Sequence, residues 1–207
     1  MKNLSTLILM TVICFGCTNS QETAMNPFFT AYDTPYQIPP FEKITEDHYM
    51  PAFIQGMKEQ LKEIDVITNN PKPPSFENTI VELERTGETL DKVADVFFNL
   101  VSSNTNDQMD AIAAEVTPKL SAHSDAISLN KKLFSRVNSV HEQRNNLNLN
   151  TEQMRLVEET YKGFIRSGVQ LDEASMAKLT KINQELSSLS VQFDQNLLKE
   201  TNEGFNL

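Results

Sequence analysis

Asp172-Glu173-Ala174-Ser175-Met176-Ala177-Lys178-Leu179-Thr180-Lys181-Ile182-Asn183-Gln184-Glu185-Leu186-Ser187-Ser188-Leu189-Ser190-Val191-Gln192-Phe193-Asp194-Gln195-Asn196-Leu197 carries the cleanest apolar stripe in the chain. Met176, Leu179, Ile182, Leu186, Leu189, Phe193 and Leu197 recur at steps of three and four, which sets them on one face of a helix about seven turns long. Burying that stripe is worth ~1.5–3 kcal/mol per side chain, roughly 10–20 kcal/mol in all, while ordering the backbone alone costs ~1–2 kcal/mol per residue. The helix cannot stand alone, and the stripe predicts packing against other helices of similar length.

Working back from this run, the same periodicity recurs. Asn145 to Asn150 reads as a loop, and Thr151 is the expected cap of a helix carrying Met154, Val157, Tyr161, Phe164 and Ile165 and closed at Gly168. Leu129, Leu133, Phe134, Val137 and Val140 mark a shorter helix. Met109, Ile112, Val116, Leu120, His123 and Ile127 mark a longer one, kinked at Pro118. Ser75 is a good N-cap, and Phe76, Ile80, Leu83, Leu90, Val93, Phe97 and Leu100 predict one long helix in which Gly87 weakens propensity without changing phase. A further helix starts near Thr45, with Phe53, Met57, Leu61 and Ile64 on one face, and ends at Asn69 to Pro74. Before it, Pro27, Phe28, Phe29, Tyr32, Pro35, Tyr36, Pro39 and Pro40 oppose helix and predict an extended strap. The fold class is all-α: a bundle of long antiparallel helices preceded by a Pro- and aromatic-rich strap.

Composition agrees. The 207 residues include only 6 Gly and no Trp, too few positive-φ sites for a hairpin-rich β protein. With 18 basic against 28 acidic side chains the net charge is -10, so a phosphate backbone is repelled and nucleic acid is excluded as a partner.

Met1 to Gly16 has the short basic start and apolar core of an export signal, too short to span a bilayer. Gly16-Cys17 before a polar run looks like a lipoprotein processing site, with Cys14 where Leu is usual three positions earlier. Residues 1–16 are expected to be a signal peptide, Cys17 the lipidated residue, 17–25 a flexible tether and 26–207 the helical domain. The expected location is the cell envelope, lipid-anchored or periplasmic. With both Cys in the leader region, no disulfide can staple the body.

Catalytic chemistry is scarce. His141-Glu142-Gln143-Arg144-Asn145 has the opening of the His-Glu-x-x-His zinc motif but ends in Asn145, and no two of His48, His123 and His141 stand four apart. His123 falls on an apolar helical phase and reads as a hydrogen-bonded core or interface histidine. No phosphate loop, nucleophile elbow or catalytic thiol is found in the body. Glu82, Glu84, Glu158, Glu159, Asp172 and Glu173 have the spacing of solvated helical faces.

Taken as whole segments, the body resembles the N-terminal region of the thimet-oligopeptidase family of zinc peptidases, in its peptidyl-dipeptidase and oligopeptidase A branch. The resemblance is carried by Asn26-Pro27-Phe28, Phe41-Glu42-Lys43-Ile44, His48-Tyr49-Met50-Pro51-Ala52-Phe53, Phe76-Glu77-Asn78-Thr79-Ile80 and Leu83-Glu84-Arg85-Thr86-Gly87. It continues through Phe97-Phe98-Asn99-Leu100, Leu120-Ser121-Ala122-His123-Ser124-Asp125, Leu133-Phe134-Ser135-Arg136-Val137, Ile182-Asn183-Gln184-Glu185-Leu186 and Phe193-Asp194-Gln195-Asn196-Leu197. It implies an all-helical peptidase with a deep channel, acting on short peptides, whose zinc ligands and general base lie in a C-terminal half with no counterpart in this chain. No catalytic or metal-binding residue is therefore carried over, and no cofactor is expected on this chain, zinc belonging to the complete family member. The expected partners are short peptides in the complete enzyme, a membrane through the lipid anchor, and either the missing half or another protein on the exposed helix faces. A standalone helical lipoprotein that binds peptides or a partner is the alternative, and self-association through the last stripe a third.

Overall fold

The computed structural model describes residues 25–204, and among them every regular element is helical. The leader, Cys17 and nearly all of the expected tether lie outside the described residues. The strap contains no α-helix but is punctuated by single 3-10 turns at Pro27–Phe29, Pro35–Gln37 and Phe41–Lys43. The first two have Pro in the opening position, where a missing N–H costs nothing. The turn at Pro27–Phe29 seats Phe28, 1% exposed, on Tyr49.

The first helix, α1, spans Glu46–Thr68. A single π-helical turn, Phe76–Val81, runs into a short α2, Glu82–Glu84, and α3 follows at Glu88–Ser103. The remaining helices are α4 (Asp107–Ser128), α5 (Lys131–Gln143), α6 (Thr151–Arg166) and α7 (Glu173–Gly204). Cross-helix contacts give the directions. Tyr49 meets Phe97 while Gln60 reaches Thr86, so α1 and α3 are antiparallel. Asn183 bonds Asp125 and Gln195 bonds the Asp110 carbonyl, so α4 and α7 are antiparallel too. Phe134 faces Phe164 and Arg144 faces Glu158, giving the same sense to α5 and α6. By contrast α1 and α4 run parallel, since Glu46 meets Asn106 and Gln60 meets His123.

Two apolar cores share α1. The first gathers Phe28, Tyr49, Phe53, Val93, Phe97 and Val116, with Phe97 edge-on to both Tyr49 (4.9 Å) and Phe53 (5.3 Å). The second gathers Ile64, Ile67, Ile80, Leu133, Val137, Val157 and Phe164. This division corrects the expected single helix from Ser75 to Leu100: its apolar stripe serves both cores, Phe76 and Ile80 the second, Leu90 to Phe97 the first. The chain changes core at Gly87, whose φ of +92° is a conformation that a side chain strains, and whose N–H donates to Glu63 of α1 at 2.8 Å.

Caps explain the other starts. Ser75 Oγ accepts the Asn78 N–H and Asn78 Oδ1 accepts the Ser75 N–H, a reciprocal box. For α6 the cap is Asn150 rather than the expected Thr151, because Asn150 and Gln153 exchange the same pair of bonds. Pro118 lies inside α4 without ending it. On α1 the inward face is Ala52, Phe53, Gly56, Ile64 and Ile67, and the expected Leu61 faces outward.

The largest departure is α7. The stripe expected to be buried is on the outside: Ile182, Leu186, Leu189, Phe193 and Leu197 are between 50% and 66% exposed. The helix meets α4 instead through Asn183, Val191 and Gln195.

At Gly56 an added Cβ would stand 2.8 Å from the Leu90 backbone, whereas at Gly163 on α6 it would meet no atom within 4 Å. Gly56→Ala is therefore expected to lower stability by about 1–3 kcal/mol through forced separation of α1 and α3. Gly163→Ala is expected to be neutral or to stabilise by up to ~1 kcal/mol through helix propensity. Urea unfolding of the two variants checks the contrast, and equal effects would refute the close approach.

Candidate functional site

The two cores do not close against each other everywhere. Between α3, α4 and α6 they leave a cleft of about 510 Å³. Its apolar side chains are Leu83, Leu90, Leu120, Ile127 and Phe164, and its walls carry Ala94, Ser124, Ser128, Thr160, Gly163 and Ser167, side chains too small to fill the gap. The helix α6 packs on α5 and the π-helical turn rather than on α4, which leaves the cleft open along its length.

At its inner end stands a polar bridge between helices. The Gln60 amide donates to the Thr86 carbonyl and hydroxyl at 3.4 and 3.3 Å, which fixes its orientation, and its Oε1 then accepts the His123 Nε2–H at 2.6 Å. His123 is 8% exposed, and its Nδ1 has no partner. Burial holds its pKa below the usual imidazole value. At the mouth, partial burial raises the Asp91 carboxyl above its ordinary value, and the neighbouring Asp95 carboxylate adds to the rise.

The other histidines are committed elsewhere. His48 occupies the third position of α1, where its Nδ1 accepts the Thr45 N–H at 3.0 Å. His141, in the last turn of α5, lies flat on Tyr161, with ring centroids 3.9 Å apart and 4° between planes. Desolvation, then the Arg144 charge, lowers its pKa against the opposing pull of Glu158 and Glu142. The carboxylates singled out by spacing are spread over several elements, and Glu82 and Glu159 make surface pairs with Arg85 and Lys162. Among the described residues no three His, Cys, Asp or Glu side chains come together as a metal site. These residues do not fit a zinc ion: each imidazole serves a cap, a bridge or a stack.

One polar side chain escaped the sequence reading. Arg136 is buried, and it donates to the Asn70 and Lys72 carbonyls at 3.1 and 3.4 Å and to Asn78 Oδ1 at 3.0 Å. It ties the Pro-rich loop after α1 to α5. An arginine amid the apolar phase of Leu133, Val137 and Val140 was the available signal.

Among the described residues no hydroxyl lining the cleft is hydrogen-bonded to His123, whose Nε2 is committed to Gln60. The histidine bridge does predict a pH dependence. A buried imidazole held neutral contributes stability that is complete above the unfolded-state value of 6.5 and is lost as pH falls from there. Unfolding free energy should drop between about pH 7.5 and about pH 5.5, and His123→Gln should flatten that slope, with His141 supplying the remainder. An unchanged slope in the variant would contradict the neutral bridge.

No family model matches the chain. Among curated proteins it is 40% identical to the dipeptidyl carboxypeptidase of Escherichia coli (strain K12) over 182 residues, 88% of this chain and 27% of that protein. It is 23% identical over 168 residues to oligopeptidase A of the same organism, 81% of this chain and 25% of the relative. The thimet-like oligopeptidase of Dictyostelium discoideum matches at 25% over 166 residues, 79% of this chain and 24% of the relative. The chain thus spans about a quarter of the length of the relatives it matches. These alignments match the chain to the N-terminal region of the thimet-oligopeptidase family, on the side of dipeptidyl carboxypeptidase.

Proposed function

We propose that this chain is the N-terminal portion of a zinc-dependent peptidyl-dipeptidase or oligopeptidase, supplying scaffold and part of the wall of a channel for short peptides. The reaction in the complete enzyme would be hydrolysis of a peptide bond, for which a zinc ion held outside the described residues would supply Lewis-acid chemistry. None of the described residues is assigned to zinc or to the chemical step, and the chain alone is expected to be inactive.

The observation that carries this reading is the outward stripe of α7. A helix that turns Asn183 and Gln195 toward its own neighbour and Ile182, Leu186, Leu189, Phe193 and Leu197 toward solvent is patterned for a second surface. The long match to relatives roughly four times the matched length supports the remainder of such an enzyme as the occupant. Export through residues 1–16 and acylation of Cys17 complete the proposal, placing the assembled peptidase at the cell envelope. The alternative, a standalone helical lipoprotein that binds peptides or a partner protein, takes the same stripe as its contact surface.

One experiment separates them. The purified chain is expected to release no dipeptide from end-blocked peptides with or without zinc. Combined with a polypeptide carrying the part of the Escherichia coli dipeptidyl carboxypeptidase outside the aligned region, it should restore zinc-dependent release. Leu189→Asp and Phe193→Asp should leave the unfolding midpoint of the chain alone unchanged and reduce that restoration by at least about tenfold. Turnover by the chain alone, or a stable monomer that the added polypeptide neither binds nor activates, would overturn the reading.

A further inference from the structure

The cleft between α3, α4 and α6 is not accounted for by the stripe on α7. Its walls are made of small side chains on facing helices, and Gly163 leaves space where any larger residue would project. Its apolar lining suits a bulky aliphatic or aromatic group, and about 510 Å³ is within the range of small-ligand sites. Apolar space alone would not select an occupant. Charge does. Asp91 lies in the lining and Asp95 one helical turn further along α3, and among the described residues neither has a basic partner within ion-pair distance. The nearest basic residue in sequence, Lys92, is committed elsewhere: it donates to the Thr30 carbonyl at 3.1 Å and stands 4.9 Å from the centre of the Tyr32 ring. Two like charges on one helix face, one of them partly desolvated, repel each other and gain from a cation placed between them. His123 closes the inner end, buried and with one ring nitrogen unpartnered.

We propose that this cleft binds a short peptide in which a bulky apolar residue adjoins a Lys or Arg. The apolar side chain enters between α4 and α6 above Leu120 and Phe164, and the cation reaches Asp91 in the lining, with the Asp95 charge one helical turn further along α3 adding to the attraction. The net charge of -10 draws such a peptide toward the chain and the carboxylates orient it. The site is a binding site only, and it stands apart from the peptidase reading, because occupancy requires neither zinc nor turnover.

The test is fluorescence anisotropy of the full chain with a labelled, end-blocked Ala-Lys-Leu-Ala peptide. Saturable binding is expected, with a dissociation constant below about 1 mM. Replacing Lys by Glu in the probe, or Leu by Ala, should weaken it at least about fivefold. Gly163→Leu fills the cleft at a helical position with open space, so it should fold and lose at least about tenfold in affinity. Asp91→Asn should lose several-fold and remove most of the salt dependence, a readout that does not depend on how Gly163→Leu folds. Absence of saturable binding, equal binding of the Glu probe, or undiminished binding by a folded Gly163→Leu variant would each overturn the proposal. So would sedimentation showing the cleft already occupied by a second copy of the chain that the probe does not displace.

Discussion

The bundle depends on how near α1 comes to α3 at residue 56. A Cβ there would lie 2.8 Å from both the Leu90 nitrogen and its Cα, inside any real carbon contact, so only glycine permits this separation. The closeness has effects at both ends of α1. Toward its start, Tyr49 and Phe53 reach Phe97 at edge-to-face distances and build the first core. Toward its end, Gln60 and Glu63 come within reach of Thr86 and Gly87, and the three bonds they make hold the turn where the chain passes from one core to the other. The cleft is the geometric remainder. With α1 and α3 locked together and α6 held on α5, the space between α4 and α6 cannot be taken up by either pair.

Most helix boundaries were legible because they are set locally. Thr45 and Ser75, both read as helix starts, act through bonds spanning three residues that need no tertiary context, and Asn106 and Asn130, which the sequence reading did not single out, cap their helices in the same local way. The break at Gly87 was not legible. Its phase is continuous, and what stops the helix is Glu63, 24 positions earlier, capturing an N–H that only the fold brings near. Leu61 misled for a related reason: a stripe read at steps of four drifts off the true inward face, which runs through Gly56, a residue with no apolar side chain to mark it. His123 was legible as a bridging histidine, since its helical phase faced the interior, but its partner Gln60 lies 63 positions away and carries no pattern of its own. The cleft was invisible for the same reason, being made of residues that are absent rather than present.

The reversed face of α7 shows how periodicity can identify a helix and still assign its side wrongly. Small hydroxyls allow a helix to sit close to a neighbour when their own hydrogen bonds are satisfied, and Ser187 and Ser188 both return theirs to the Gln184 carbonyl. Asn183 meets the buried Asp125 and Gln195 meets the Asp110 carbonyl, so the polar face is neutralised by specific bonds. That contact leaves the leucines free. If complete burial of the stripe is worth roughly 10–20 kcal/mol, side chains still more than half exposed leave on the order of 5–10 kcal/mol unrealised. A gap of that size is comparable to the whole stability of a small domain. It is the strongest physical argument for a covering surface, because scattered exposed leucines are ordinary and a continuous helical row of them is not.

Among the described residues the few imidazoles are all committed to structural contacts. A zinc site needs two or three imidazole or carboxylate groups with free lone pairs converging on one point. Here the imidazole lone pair of His48 takes an N–H at a helix start, His141 is spread flat on an aromatic ring, and His123 donates across the seam between the cores. Releasing any of them for a metal would undo a cap, a stack or the bridge beside the cleft. Each titratable group with a resolved shift is explained by burial or by a structural bond rather than by a pair poised for proton transfer. Under the proposed reading, a region built this way would contribute position and shape. In a peptidase assembled from it, the reaction would be carried by groups that this region holds in place, and the apolar row on α7 is where that hold would be exerted.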